Sequence, residues 1–324
     1  MTLAFTLCSI NYLAQARTLG DSLRRTNPHI RYVIGLVDRL DRAQVPADKL
    51  PDFELLELHN IGINGLDAMC EHYNITELNT AVKPYFIRYF FEQIPQVRNV
   101  IYFDPDIIVY QPLTGLEALL EKHDFVLTPH ITTPIEDRLT PNELHHLNTG
   151  VYNLGFIALH KSPEATAFVK WWEEKLFDEC KIDLCNGLFV DQNWVTFAPV
   201  FWNNVHVEKH PGWNAAYWNL HERYFTFEHN QHLVNEQPVV FFHYSGYDPA
   251  KPAVISKYQD RFSFEQRPDL NPLFDYYREE LLRNENAYYR QFPCHYIKKE
   301  PVYKYQRIRA ALTQPLRAVL HWLD

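Results

Sequence analysis

Four things are missing from this chain, and each absence removes a class of explanation. There is no C-x-x-C pair: the five cysteines, Cys8, Cys70, Cys180, Cys185 and Cys294, are odd in number and irregular in spacing. That indicates neither a disulfide framework nor a zinc site, and it fits a reducing compartment. There is no run of about 18 uncharged apolar residues, the length a membrane helix needs. The opening MTLAFTLCSINYL lacks the basic lead and the apolar length of a secretory signal, so a cytoplasmic location without a membrane span is expected. Positive charge is not in excess: 31 Lys and Arg stand against 40 Asp and Glu, a formal net charge of -9. Bulk electrostatics therefore give no reason to bind nucleic acid or to be drawn generally to an anionic membrane. Nor is there an internal repeat or a low-complexity segment.

What is present is the material of a large folded core. With 324 residues and 46% hydrophobic content, the chain can build one large α/β domain or two small ones. Rings are abundant, with 20 Tyr, 21 Phe and 7 Trp, and serve equally well as core packing or as platforms for sugars and bases. Short apolar runs alternate with amphipathic segments. LAFTLCS (3–9) reads as a first strand, followed by a helix over 12–25 with Leu13, Ala16, Leu19 and Leu23 on one face. Further strands are predicted over 31–38, 53–58, 100–103, 124–130, 151–160 and 239–246. Helices are predicted over 80–93, 117–123 and 163–180. This alternation is the βαβ rhythm of a mostly parallel sheet. From about residue 271 two helical segments follow, then a basic tail, which divides the chain into a catalytic body over 1–270 and a C-terminal helical extension over 271–324.

The chemistry starts from VIYFDPDIIVYQPL, where Asp104 and Asp106 flank Pro105 at the carboxyl end of an apolar strand. Open α/β sheets place ligands there. Two carboxylates turned into one crevice repel unless a cation neutralises them, and the expected occupant is Mn²⁺ or Mg²⁺ held through oxygen. A solvated acidic turn is the plain alternative. Such an ion commonly faces a phosphate, which leaves two enzymatic readings. FDPDII approaches the nucleophile motif of haloacid-dehalogenase-like phosphohydrolases, but carries Ile108 where Thr or Val belongs, and follows a late strand where that motif follows the first. In nucleotide-sugar glycosyltransferases the same pair holds a metal that supports the departing nucleoside diphosphate. The strand VVFFHYSG ends in His243, whose imidazole can complete a Mn²⁺ shell, and in Ser-Gly at Gly246, which lets a phosphate approach backbone amides.

Taken in chain order, FTLCSINYLAQARTLGDSL, VDRL, NTAVKPYFIRYFF, FDPD, NTGVYNLGFIALH, FVDQNWV and FFHYSGYDP resemble the retaining family 8 glycosyltransferases. These are GT-A (Rossmann-like) enzymes such as bacterial lipopolysaccharide galactosyl- and glucosyltransferases and glycogenin, and the likeness covers roughly the first 250 residues. It implies a mixed, mostly parallel sheet flanked by helices. It implies that Asp104, Asp106 and His243 bind Mn²⁺ (or Mg²⁺), and that Thr6, Cys8, Asn11 and Tyr12 line a nucleoside pocket with Asp38 near base or ribose. Lys83 would touch donor phosphate or sugar. Arg88, five residues on and about 140° past a full turn, cannot share that aim and is a phosphate or structural partner.

Asp191 and Gln192 match the pair beside the reacting sugar, Asp191 to position hydroxyls or acceptor and Gln192 beneath the anomeric carbon. A glutamine there argues for front-face displacement, with the leaving diphosphate taking the acceptor's proton, in place of a covalent carboxylate intermediate. The other reading of Asp191 is a helix N-cap. Asn153 would face the sugar, with Gly155 allowing close approach. Trp213 and Asn214, with Trp218, would wall the donor sugar or acceptor, core packing being the alternative for Trp218. The family's closing H-x-x-G-x-x-K-P-W is only partly present in HYSGYDPAKP: Asp248 precedes a lysine, Lys251, that comes two residues late. Lys251 is the candidate phosphate contact, UDP-sugars are the first expectation, and GDP- or dTDP-linked donors stay open.

The expected partners are therefore a nucleotide-sugar donor and a saccharide or lipid-linked saccharide acceptor, of the lipopolysaccharide or capsule kind. A carbohydrate-binding protein without turnover is the non-enzymatic alternative. Between Lys298 and Arg317 six Lys or Arg face one acid, Glu300. That segment reads either as a peripheral contact with the cytoplasmic face of the inner membrane or as a helix packed on the body with a solvated basic face.

Overall fold

The computed structural model describes residues 1–296. The sheet is built from strands β1 (Thr2–Cys8), β2 (Arg31–Leu36), β3 (Glu54–Glu57), β4 (Asn99–Phe103), β6 (Phe125–Leu127), β7 (Phe156–His160) and Val205–Val207; the short β5 (Ile107–Val109) leaves it directly after β4. Its order is Val205–Val207, β6, β7, β4, β1, β2, β3. β7 runs antiparallel to β4 and β6, while every other neighbouring pair is parallel. The mixed, mostly parallel sheet expected from the sequence is thus present.

Strand alternation explains why both faces are covered. Along β1, Ala4 and Cys8 enter one apolar cluster while Leu3, Phe5 and Leu7 enter the other. Along β4, Ile101 and Phe103 divide from Val100 and Tyr102 in the same way. A sheet apolar on both faces must be covered by helices on both. Helix α1 (Leu13–Thr26) and helix Asn271–Arg283 pack in the first cluster, and helices Lys83–Gln93 and Pro163–Leu176 in the second. Helix Asn271–Arg283 buries Leu273, Phe274, Tyr277 and Leu281 there, so the start of the expected extension shares the core of the body. The basic segment 298–317 lies outside the described residues.

Several elements differ from the sequence pattern. The helix expected over 80–93 is two helices, Ile75–Ala81 and Lys83–Gln93, hinged at Val82. Asn74 and Glu77 close a capping box on the first, and Pro84 occupies the first turn of the second, where its missing N–H costs nothing. Only Phe156–His160 of the segment 151–160 is strand. The residues before it are held by side-chain amides around Asn153, described below. A second, three-stranded sheet joins Ala215–Ala216, Phe241–His243 and β5.

Candidate active site

The Asp-Pro-Asp turn and His243 are brought together by strand register. β5 pairs antiparallel with Phe241–His243, setting His243 opposite Ile107, the residue after Asp106. The amide of Tyr244 donates to the Asp106 carbonyl at 2.8 Å, and the amide of Ile107 to that of Asp104 at 3.2 Å. In consequence His243 Nε2 lies 3.0 Å from Asp106 Oδ1 and 3.6 Å from Asp104 Oδ2. One ligand atom from each of the three residues lies within 4.8 Å of the others. The imidazole can come so close because residue 155 is glycine: a Cβ there would stand 2.4 Å from His243 Cε1.

Electrostatics couple the three groups. Burial disfavours the charged form of Asp104 and Asp106 adds repulsion, so its carboxyl is raised despite the pull of Lys83, His243 and the Tyr102 hydroxyl. Burial disfavours the His243 cation, yet Asp106 and Asp104 outweigh it and raise the imidazole. Two acids and an imidazole aimed at one point fit a divalent ion, and the nitrogen in the set fits Mn²⁺.

The cluster stands where two cavities meet, of 390 and 730 Å³. Asp106 lines the smaller, His243 the larger, and Asp104 both. The smaller opens at the carboxyl ends of β1 and β4 and is lined by Cys8, Asn11, Tyr12, Gly246, Tyr277 and Arg290, among others. This is where a parallel sheet presents ligand sites. In the larger, Lys83, Asn153, Asp191 and Gln192 meet His130, His146 and Trp218.

The larger cavity is lined by a closed polar network. Lys83, almost fully buried, donates to Asp191 Oδ2 at 2.5 Å and to the Leu154 carbonyl at 2.8 Å, with its ammonium 4.1 Å from the centre of the Tyr102 ring. Burial pushes the Asp191 carboxyl up to about 6 against the pull of Lys83. Asp191 does precede a short helix, Gln192–Val195, but its side chain makes no cap bond. Gln192 Oε1 accepts from the Leu154 amide at 3.1 Å and from Asn153 Nδ2 at 3.3 Å, while Nε2 donates to the Thr149 carbonyl at 2.8 Å. Asn153 Oδ1 accepts from Asn214 Nδ2 at 3.0 Å and from the Gly155 amide at 3.1 Å. Asn214 is therefore part of the same scaffold, in a left-handed conformation with φ 51°.

Other expected residues are not brought to either cavity. Thr6 is buried within β1. Asp38 is buried too, and its carboxylate accepts from the backbone amides of Ile10, Arg39 and His295. Trp213 packs in the core against Phe156 and Phe241. Trp218 instead reaches the larger cavity, its ring edge-on to His243 with centroids 5.1 Å apart. Arg88 turns away to Glu173 at 2.7 Å and Glu92 at 3.2 Å. Lys251 is exposed and lines neither cavity. Lys257, by contrast, lines both cavities, and its amide donates to the Gly246 carbonyl at 3.1 Å. Lys257 stands 14 residues after His243, too far for a short motif to tie them. Thr76 and Thr80, which also line both cavities, were findable from the capping signal N-I-T-E at 74–77.

The site thus defines a class, a two-chambered α/β crevice with an Asp-Asp-His triad able to hold a metal at its waist. No family model matches the chain. It is similar to two proteins of Bacillus subtilis (strain 168), both described as uncharacterized. YfnF is 25% identical over 256 residues, covering 76% of this chain and 82% of that protein. YfnD is 24% identical over 169 residues, covering 51% and 52%. The solved structures it resembles are glycosyltransferases. The galactosyltransferase LgtC, in complex with donor and acceptor sugar analogs, aligns at 16% identity and a TM-score of 0.49, over 87% of this chain and 96% of that one. GlyE of Streptococcus pneumoniae TIGR4 aligns at 16% and 0.47, over 90% and 65%. Mouse xyloside xylosyltransferase 1 aligns at 14% and 0.43, over 75% and 97%.

Proposed function

We propose that the protein is a metal-dependent retaining glycosyltransferase that moves a hexose-type sugar from a nucleotide-sugar, with UDP-sugars first, to a saccharide acceptor on a cell-surface glycan. The observation that carries this reading is the position of Asp104, Asp106 and His243 at the waist between two cavities. A diphosphate held there puts its nucleoside among Cys8, Asn11 and Tyr12 and its sugar beside Asn153, Asp191 and Gln192. When bound, the divalent ion supplies charge stabilisation to the departing diphosphate. Lys257, exposed at the same waist, is placed to meet the same phosphates.

The larger cavity's own groups favour front-face displacement. Its carboxylates are Asp104, Asp191 and Asp260. Asp104 belongs to the ligand triad, Asp191 is ion-paired to Lys83, and Asp260 accepts from the Thr140 amide at 2.6 Å. No other carboxylate among the described lining residues offers a nucleophile. The bond from the anomeric carbon to the diphosphate then breaks with its electron pair, the acceptor oxygen bonds to the same face, and its proton passes to the leaving phosphate oxygen. Gln192, fixed at both ends of its amide, would orient this step. The cationic segment 298–317 would rest the enzyme on the inner leaflet beside a lipid-linked acceptor.

The test is calorimetry of UDP binding with and without Mn²⁺. Wild-type protein should bind only with the ion, and Asp104→Asn or Asp106→Asn should weaken binding at least about 100-fold. Binding of UDP that ignores both the ion and these substitutions would refute the reading. Release of phosphate from simple phosphomonoesters, lost in Asp104→Asn, would establish the phosphohydrolase in its place.

A further inference from the structure

The larger cavity has one wall made of two chain segments far apart in sequence. Residues 128–142 run irregularly from β6 to helix Glu143–Thr149 and contribute Thr140 and Pro141 to the wall, with His146 following on the helix. Residues 257–260, on the connection that leaves His243, contribute Lys257 and Tyr258. Residues 128–130 pair with 151–153, and Glu222 holds Thr132 and Thr133, but from there to the helix the stretch has no strand partner among the described residues.

The two segments are fastened by Arg261 together with a two-bond exchange beside it. Arg261 is 7% exposed, and its fork closes on Asp137, Nε to Oδ2 at 2.8 Å and Nη2 to Oδ1 at 2.9 Å. Nη2 also meets the carbonyls of Leu139 at 3.0 Å and Pro141 at 2.7 Å. Beside it, Asp260 and Thr140 exchange bonds: the Thr140 amide donates to Asp260 Oδ1 at 2.6 Å, and the Asp260 amide to the Thr140 carbonyl at 3.2 Å. Gln259 holds the turn from its own side, its Oε1 accepting from the amides of Arg261 and Phe262. A planar fork that reaches a carboxylate and two carbonyls at once is chemistry a lysine cannot copy.

Resting on the glycosyltransferase reading, we propose that Arg261 is a positioning residue for the reaction: by clasping Asp137 and the 139–141 carbonyls to the segment after His243, it fixes one wall of the sugar chamber and so limits the access of water to the reacting carbon. The need is chemical. In transfer, the anomeric carbon loses its bond to the diphosphate and gains one to an acceptor hydroxyl, whose proton goes to the leaving diphosphate. Water is a competing hydroxyl: attack by it yields free sugar, nucleoside diphosphate and the same proton, so the donor is wasted. Excluding water from a reacting site suppresses such side reactions. Arg261 and Asp137 themselves line neither cavity, and the clasp acts through the placement of Thr140 and Pro141, which line the larger cavity alone.

The test uses the full-length protein with Mn²⁺, a panel of UDP-, GDP- and dTDP-linked hexoses without acceptor, and UDP itself. For Arg261→Ala, release of free sugar at saturating donor should rise at least about fivefold, while the UDP dissociation constant stays within about threefold. Arg261→Lys, keeping charge without the fork, should fall between. Arg267 is the control: it makes the same kind of buried contacts, to Asp269 and the carbonyls of Leu220 and Arg223, but none of these partners lines either cavity, whereas Pro141, held by Arg261, lines the larger. Arg267→Lys should leave hydrolysis unchanged. If Arg261→Ala does not fold, Asp137→Asn carries the same expectation. Hydrolysis that stays level or falls while UDP still binds would overturn the proposal, as would sugar release and UDP binding falling in parallel. A wild-type protein that binds no nucleoside diphosphate with Mn²⁺ would instead remove the glycosyltransferase reading beneath it.

Discussion

Lys83 and Arg88 lie on one helix, five residues apart, and have opposite environments. Lys83 is sealed beneath the larger cavity with Asp191 as partner, their side chains 3% and 2% exposed. Arg88 faces the partly buried Glu173 and the exposed Glu92, and is itself 32% exposed. Removing one member of a buried pair strands the other charge, at a cost of about 3–5 kcal/mol, whereas an exposed pair contributes about 0–1 kcal/mol, with the Arg88 pairs between these limits. Lys83→Met should therefore destabilise the fold severely, and Arg88→Ala clearly less, as read by urea denaturation. Equal costs would mean that the ion pair is solvated and the chamber floor open. The different aims of these two residues were legible from helix geometry alone. The pairing of Lys83 with Asp191 was not, because nothing in the spacing of residues 83 and 191 shows that they meet. Asp38 misled for a related reason: its position at a strand end matched a ligand site, but three backbone amides without other partners reached its carboxylate first.

At the scale of elements, the triad depends on how three backbone pieces are fitted: the turn after β4, the strand Phe241–His243, and the start of β7. The Asp104 amide donates to the Gly155 carbonyl at 2.7 Å, so the turn and β7 are bonded where His243 passes. Gly155 has no need of a left-handed backbone. Its role is space, since the Cβ of an alanine would meet His243 Cε1 at 2.4 Å and Nδ1 at 2.7 Å. The imidazole and the Asn153 side chain must both give way, so Gly155→Ala should swing the ring from the two aspartates and reduce Mn²⁺ affinity about 10- to 100-fold, at a cost in urea unfolding of about 1–3 kcal/mol. Unaltered Mn²⁺ affinity by titration calorimetry would show that His243 is not a ligand. The order of strands and main helices was readable from alternation and helical spacing, and so was the expectation that Asp191-Gln192 opens a helix. Missed were pieces whose shape comes from side chains bonding backbone. Residues 151–155 read as strand, yet 151–153 make only a short backbone pairing, with 128–130, while Gln192 and Asn153 take the amides of Leu154 and Gly155 that a ladder would use.

At the scale of the whole molecule, the waist draws on both apolar clusters. Phe103 and Ile107, bracketing the Asp-Pro-Asp turn, lie in one, while Tyr102, which bonds Asp104, lies in the other. The smaller cavity is closed partly by Tyr277 and Arg290, from the helical segment after residue 270. Arg290 reaches Asp248 at 2.7 Å, and Lys49 pairs with Glu285 at 2.5 Å, so this segment is bonded to the body at both its polar and apolar faces. A ligand at the waist should thus stabilise the described residues as one unit. A ligand that binds only the native state adds RT ln(1 + [L]/Kd), about 2.7 kcal/mol at a hundredfold excess over Kd. For a chain of this size that is a rise of about 4–8 °C in the unfolding midpoint. The expectation is one calorimetric transition that moves upward with Mn²⁺ and UDP together, returns on adding EDTA, and does not move in Asp106→Asn. Two transitions, with only one shifted, would mean that the helices after residue 270 fold apart from the site. The place of Tyr277 and Arg290 in the wall of the smaller cavity argues for one, because a wall of the cavity cannot melt separately without giving up a ligand held there.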